Sequence, residues 1–172
     1  GLATLFGVGY VDAVPILRRA MQALQEPDAL GDEIPQWWLL GFIVGDALWD
    51  HEATLVCCQR AEERSRQLGA LLTLATALQL RYFTAIWLGR LEQAQSWAAD
   101  GLQVAEALGW GAAIQALYSH PGVEGLQGRD EAARQAADQM GAAAVALGAG
   151  MPAGSAQTGL VLLHVARRHY DE

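Results

Sequence analysis

Leu88–Gly109 reads LGRLEQAQSWAADGLQVAEALG. A Gly-Arg turn opens this stretch and Gly109 closes it. Between them Ala94, Ala98, Leu102 and Ala105 lie at offsets of 0, 4, 8 and 11, which places all four on one side of a helix. Gly109 suits the position just past a helix C-terminus, where a positive φ is needed.

The same pattern recurs along the chain. GYVDAVPILRRAMQAL places Ala13, Leu17, Met21 and Leu24 at those offsets. ALWDHEATLVCCQRAEE places Ala53, Cys57 and Ala61 there, with Arg64 in the fourth position. LQGRDEAARQAADQM starts a copy with Ala132, Ala136, Met140 and Ala143. The anchors Ala13, Ala53, Ala94 and Ala132 thus return with a step of about 40 positions, and a self-similar period in this range is the mark of a helical-repeat array. The expected fold is all-α: a right-handed α-solenoid of stacked antiparallel helix pairs, each pair hiding its apolar face against the next. Residues 1–172 form a single repeat domain in this reading. The chain opens on Gly1 and closes on ARRHYDE, the start of an incomplete further repeat. Both ends predict a piece of a longer protein.

The elements follow from their punctuation. A helix is expected over Asp12–Gln25, with Asp12 as N-cap and Pro15 in its first turn. Residues 26–35, with two prolines and four acids, read as a loop. An apolar helix follows over Gln36–Leu48. Asp50 then caps a helix that ends at Gly69 and carries Arg60, Glu62, Glu63 and Arg66 on a charged outer face. Ala70–Leu88 is again apolar nearly all round, and Leu91–Leu108 is amphipathic. A helix from Ala112 should kink or break at His120-Pro121-Gly122. Asp130–Leu147 is an Ala-rich helix, Gly148–Ser155 a loop, and Ala156–Arg168 the last helix.

Composition narrows the function classes. The 172 residues carry a net charge of −8, and all 11 basic residues are Arg. Lys and Asn are absent, which points to a GC-rich, bacterial genome. An acidic surface repels phosphate backbones, so no direct nucleic-acid contact is expected. Adjacent Cys57 and Cys58 diverge by about 100° on a helix, so neither a disulfide nor a metal cage is expected. Reduced thiols fit a cytoplasmic protein. Trp37–Gly45 is too short to span a bilayer. Arg81 would cost roughly 2.5–3.5 kcal/mol at the bilayer centre if Ala70–Gly89 did so. No membrane association is expected.

The turn-and-helix phrase Gly89-Arg90-Leu91-Glu92-Gln93-Ala94, with its echoes in Gly128-Arg129-Asp130-Glu131-Ala132 and Arg168-His169-Tyr170-Asp171-Glu172, resembles tetratricopeptide-like repeats. The standard repeat of that kind is shorter than the step seen here. The longer step is similar to the helical region of large ATP-binding LuxR-type transcriptional regulators of actinobacteria. Gly9–Ala20 (GYVDAVPILRRA) and Ser65–Leu71 (SRQLGAL) carry that likeness. The resemblance implies a scaffold between a nucleotide-binding domain and a helix-turn-helix domain. A P-loop needs Lys, which this chain lacks, and no basic recognition helix is present. Only the middle part carries over, and no catalytic residue comes with it.

Candidate sites are few. His164 and His169 are five apart, and His51 and His120 stand alone, so no metal site is expected. Ser119-His120 has no acid placed to orient the imidazole. Gly7-Val8-Gly9 lacks the third glycine of a dinucleotide fingerprint. No catalytic residue, cofactor or metal is assigned. Trp37, Trp38, Trp49, Trp87, Trp97 and Trp110 either fill gaps between helices or line a groove. Trp38 and Trp110, which flank helix starts, are the groove candidates. Asp46 and Arg81 are charges inside apolar helices; each must be paired or face an open concave surface. The expected function is a non-catalytic sensor or protein-interaction module of a LuxR-type regulator. Its concave groove would bind a small-molecule effector or protein partner through Trp38, Asp46, Arg81 and Trp110. Other domains of the same regulator are expected partners, as is a second copy of the chain. The alternative is an architectural spacer or oligomerisation scaffold without ligand. An all-α enzyme ranks last.

Overall fold

The computed structural model describes residues 1–26 and 36–168, the side chains of Gln36 and Met151 aside. The loop expected at 27–35 and the repeat opening at 169–172 lie outside the described residues. Among those described, every regular element is helical, and neighbouring helices pack in series. The chain divides into two compact units, Gly1–Gly89 and Arg90–Glu172.

The first unit holds α1 (Leu2–Gly7), α2 (Tyr10–Gln25), α3 (Gln36–Leu48), α4 (His51–Leu68) and α5 (Leu71–Trp87). α3 and α4 match the expected bounds because their punctuation is strong: the Asp50 carboxylate accepts from Ala53 N at 3.1 Å, and Gly69 ends α4 at φ 65°. α2 starts earlier than expected. Gly9 is its N-cap, so Asp12 sits in the first turn, where a carboxylate favours the helix dipole, and Pro15 falls inside the helix. α1 was not anticipated; it is too short for a periodic signal. α1 packs on α2, α2 on α3, α3 on α4, and α4 on α5. One core joins Ala13, Leu17 and Met21 of α2 to Val44 of α3 and Ala53 and Cys57 of α4. Cys57 Sγ donates to Met21 Sδ at 3.7 Å across it.

The second unit holds α6 (Leu91–Ala107), α7 (Ala112–Gln115), a 3-10 turn (Ala116–Tyr118), α8 (Pro121–Leu126), α9 (Asp130–Leu147) and α10 (Gly150–Ala166). The break expected at His120-Pro121 is present: His120 turns left-handed at φ 51°, and Pro121 opens α8. The loop expected at 148–155 is absent. α10 begins at Gly150, because Pro152 falls in the first turn, where its missing N–H removes no bond. α8 crosses α10 closely. A Cβ on Gly125 would fall 2.4 Å from the Gly159 carbonyl oxygen, and one on Gly159 would fall 2.6 Å from Pro121 Cβ.

A regular beat underlies both units. Residues 49, 69, 89, 109, 128, 148 and 168 all have positive φ, between 57° and 70°. The amides of Asp50, Ala70, Trp110, Arg129 and Ala149 each donate to the carbonyl five residues back, closing the helix before the turn. Most of these residues then cap the next helix, so a two-residue turn suffices. Four residues past the cap the chain points inward: Ala13, Thr54, Ala94 and Ala133 are all essentially inaccessible. Beside the expected anchor Ala53, itself buried, this place is taken by Thr54, and beside the expected anchor Ala132 it is taken by Ala133. Ala132 itself is half-buried.

Candidate functional site

The four residues singled out by sequence are divided between the two units. Trp38, Asp46 and Arg81 belong to the first unit and Trp110 to the second. Trp38 is 6% exposed, packed with Ala61 of α4 and Ala77 of α5. It is a core residue. Its indole N–H meets no hydrogen-bond acceptor among the described residues. Asp46 lies exposed on α3, so its charge stays hydrated and needs no partner.

Arg81 on α5 forms an ion pair with Glu62 on α4, and Glu62 is also 2.8 Å from Arg66 Nη2. Glu62 is 8% exposed, so it faces inward, not onto the expected outer face. Two guanidinium groups compensate one buried carboxylate here. The pair runs from α4 to α5, so Arg81 is a paired charge.

In the second unit, half-buried Trp110 stands 6.4 Å from the Tyr118 ring, and Tyr118 meets His120 edge-on at 5.8 Å. The Trp110 carbonyl accepts from Gln115 Nε2 at 2.8 Å. Burial raises the Tyr118 hydroxyl above its ordinary range and pushes the His120 imidazole down to about 3. His120 is therefore a neutral, packed ring at physiological pH.

An apolar cleft of about 440 Å³ opens in the first unit. α2 contributes Leu17, Ala20 and Leu24, and α3 contributes Trp37, Leu40 and Val44. The spacing explains it. Trp37, Leu40 and Val44 recur at helical intervals on one side of α3, whereas Trp38 turns about 100° away into the core. Ala20 of α2 adds a small side chain to the lining. The volume falls in the range of small-molecule sites. The candidate tryptophan of the cleft is thus Trp37, one position from the residue that sequence singled out. The offsets of 3 and 7 from Trp37 to Leu40 and Val44 were the available signal.

The thiols offer no nucleophile. Burial raises Cys57 to about 11 and Cys58 to about 12, and both are free and buried. Among the described residues no group of three or more His, Cys, Asp or Glu could hold a metal ion. No described helix is long and apolar enough to cross a membrane. No family model, curated protein or solved structure matches the chain.

Proposed function

We propose that the chain is a non-catalytic helical-repeat module of a LuxR-type bacterial transcriptional regulator, receiving an apolar effector or an apolar partner helix. In this reading the helices stack as antiparallel pairs in a right-handed solenoid, each pair spanning about 40 residues. The evenly spaced positive-φ turns at residues 49, 69, 89, 109, 128, 148 and 168 support that period, two turns to each repeat. The observation that carries binding is the α2–α3 cleft: ligand-sized, apolar, and edged by Trp37, which is 45% exposed. The acidic chain does not itself touch DNA, works in the cytoplasm, and passes occupancy of the cleft to other domains of the same regulator.

Titration with the neutral apolar dye Nile red tests the cleft. One dye per chain should bind and brighten, and Ala20→Trp, which puts a large ring on the cleft lining, should abolish binding. Absence of saturable binding, or equal binding by the filled variant, would overturn the reading.

A second reading, an oligomerisation scaffold without ligand, draws on Phe6, Val8 and Val11, which are strongly exposed around α1 and the start of α2. Light scattering at rising concentration distinguishes it. Association that Phe6→Ser removes, with no dye bound, would favour the scaffold.

A further inference from the structure

α2 ends without the closing device that α4 and α9 use. Its C-cap, Glu26, is extended at ψ 138°, whereas Gly69 and Gly148 end α4 and α9 in the left-handed conformation. No basic residue lies in its last turn. The last carbonyls of a helix have no partner within it and carry the negative end of its dipole. Arg60 of α4 answers both. Its Nη1 donates to the Leu24 carbonyl at 2.8 Å and to the Glu26 carbonyl at 2.9 Å. Arg60, expected on the outer face of α4, is thus half-buried and caps another helix.

Leu24 is the residue on which this cap acts. Its side chain lines the α2–α3 cleft with Trp37 and Leu40. It also packs against two core clusters, one around Leu17 and Met21, the other around Trp38 and Ala61. Its Cδ1 stands 3.7 Å from where a Cβ on Gly41 of α3 would fall. The side chain is therefore seated on α3 while the main chain is bonded to α4. Hydrogen bonds from a charged donor are stronger than neutral ones, and a terminal turn that loses its partners opens first. Opening there would carry Leu24 out of the cleft wall. Leu17, Leu40 and Val44 come from helix interiors and would keep their places.

We propose that Arg60 is the positioning residue of the α2–α3 cleft: by capping α2 from α4 it holds Leu24 in the cleft wall and so sets the affinity for an apolar ligand. Arg60 does not itself line the cleft. The inference rests on the cleft being the binding site.

The full chain is titrated with Nile red at a temperature where circular dichroism shows every variant folded. Arg60→Met removes the cap and should weaken the dye roughly tenfold. Arg60→Lys should restore binding, because a single nitrogen makes both bonds and an ammonium carries three donors. Ala133→Leu, which overpacks the second unit, controls for destabilisation alone and should bind as the wild type does. Amide hydrogen exchange over residues 21–25 should quicken in Arg60→Met and not in Arg60→Lys. Dye binding that Ala20→Trp abolishes and Arg60→Met leaves unchanged would overturn the proposal and spare the cleft. Equal weakening by Arg60→Lys, or by Ala133→Leu, would overturn it too. No dye binding by the wild type would instead remove the cleft reading, and this proposal with it.

Discussion

Gly45 of α3 lies so close to Thr54 of α4 that a Cβ on Gly45 would fall 1.8 Å from the threonine hydroxyl oxygen. One turn earlier, a Cβ on Gly41 would fall 2.6 Å from Cys57 Cβ. The two glycines are four positions apart on one helix face and let α3 and α4 approach backbone to side chain. Thr54 cannot easily yield. It is buried, and its hydroxyl donates to the Asp50 carbonyl at 2.9 Å.

Gly45→Ala should therefore destabilise the protein by about 1–3 kcal/mol through overpacking. It should do so even though alanine is the better helix former by about 1 kcal/mol. Urea unfolding measures the change. Adding Thr54→Ala should recover part of the loss, because the clashing hydroxyl is gone; strictly additive effects would refute the contact.

Arg81→Ala should cost about 3 kcal/mol, since it leaves the buried Glu62 carboxylate with Arg66 alone. The double variant Glu62→Leu, Arg81→Met should be close to wild type, because neither charge then has to be buried. Thermal unfolding of the single and double variants decides it. A double variant as unstable as the single one would show that the pair itself holds α4 to α5.

Ala133→Leu should cost about 1–3 kcal/mol, as expected for a larger side chain at a fully packed position. Ala132→Leu should cost well under half of that, because Ala132 is half-buried. Equal unfolding midpoints for the two variants would put the helix register back at Ala132.

Acid should expose the state of His120. Its folded value is depressed to about 3 by burial, against an ordinary 6.5. Between those limits the unfolded chain binds the extra proton and the folded chain does not. Its contribution to stability is therefore fully present above pH 6.5 and falls as the pH drops, by up to ~1.4 kcal/mol per pH unit. His120→Asn retains a residue tolerant of left-handed backbone and removes the titration. Chemical unfolding at pH 7 and pH 5 should show a smaller pH loss in the variant than in the wild type. Identical losses would contradict the burial of the ring.

Helix bounds were legible where local chemistry sets them. Gln36–Leu48 and Asp130–Leu147 match to the residue, because apolar periodicity and turn residues such as Gly148 act over a short reach of chain. Errors arose where one local signal had two meanings. Pro152 reads as a loop residue, yet it is equally at home in the first turn of α10. Asp12 reads as a cap, yet Gly9 takes that place. Ala132 and Ala133 are the same residue type, so only the distance from the Arg129 cap separates anchor from neighbour.

The candidate site was less legible. Trp37 and Trp38 are adjacent and chemically identical, and a rotation of about 100° sends one to the cleft and the other to the core. Glu62 reads as a surface charge because its partner Arg81 lies far along the chain, on the next helix.

The amino-acid order alone determined that this protein is helical, where most of its helices stop, and the beat of the small residues between them. Those properties depend on hydrogen bonds and φ preferences confined to one or two turns of chain. Which tryptophan is buried, which charges are paired and where a cleft stays open were decided only when the helices packed. Each of those depends on the rotation of one helix against another, and a single residue of rotation moves a side chain from solvent to core.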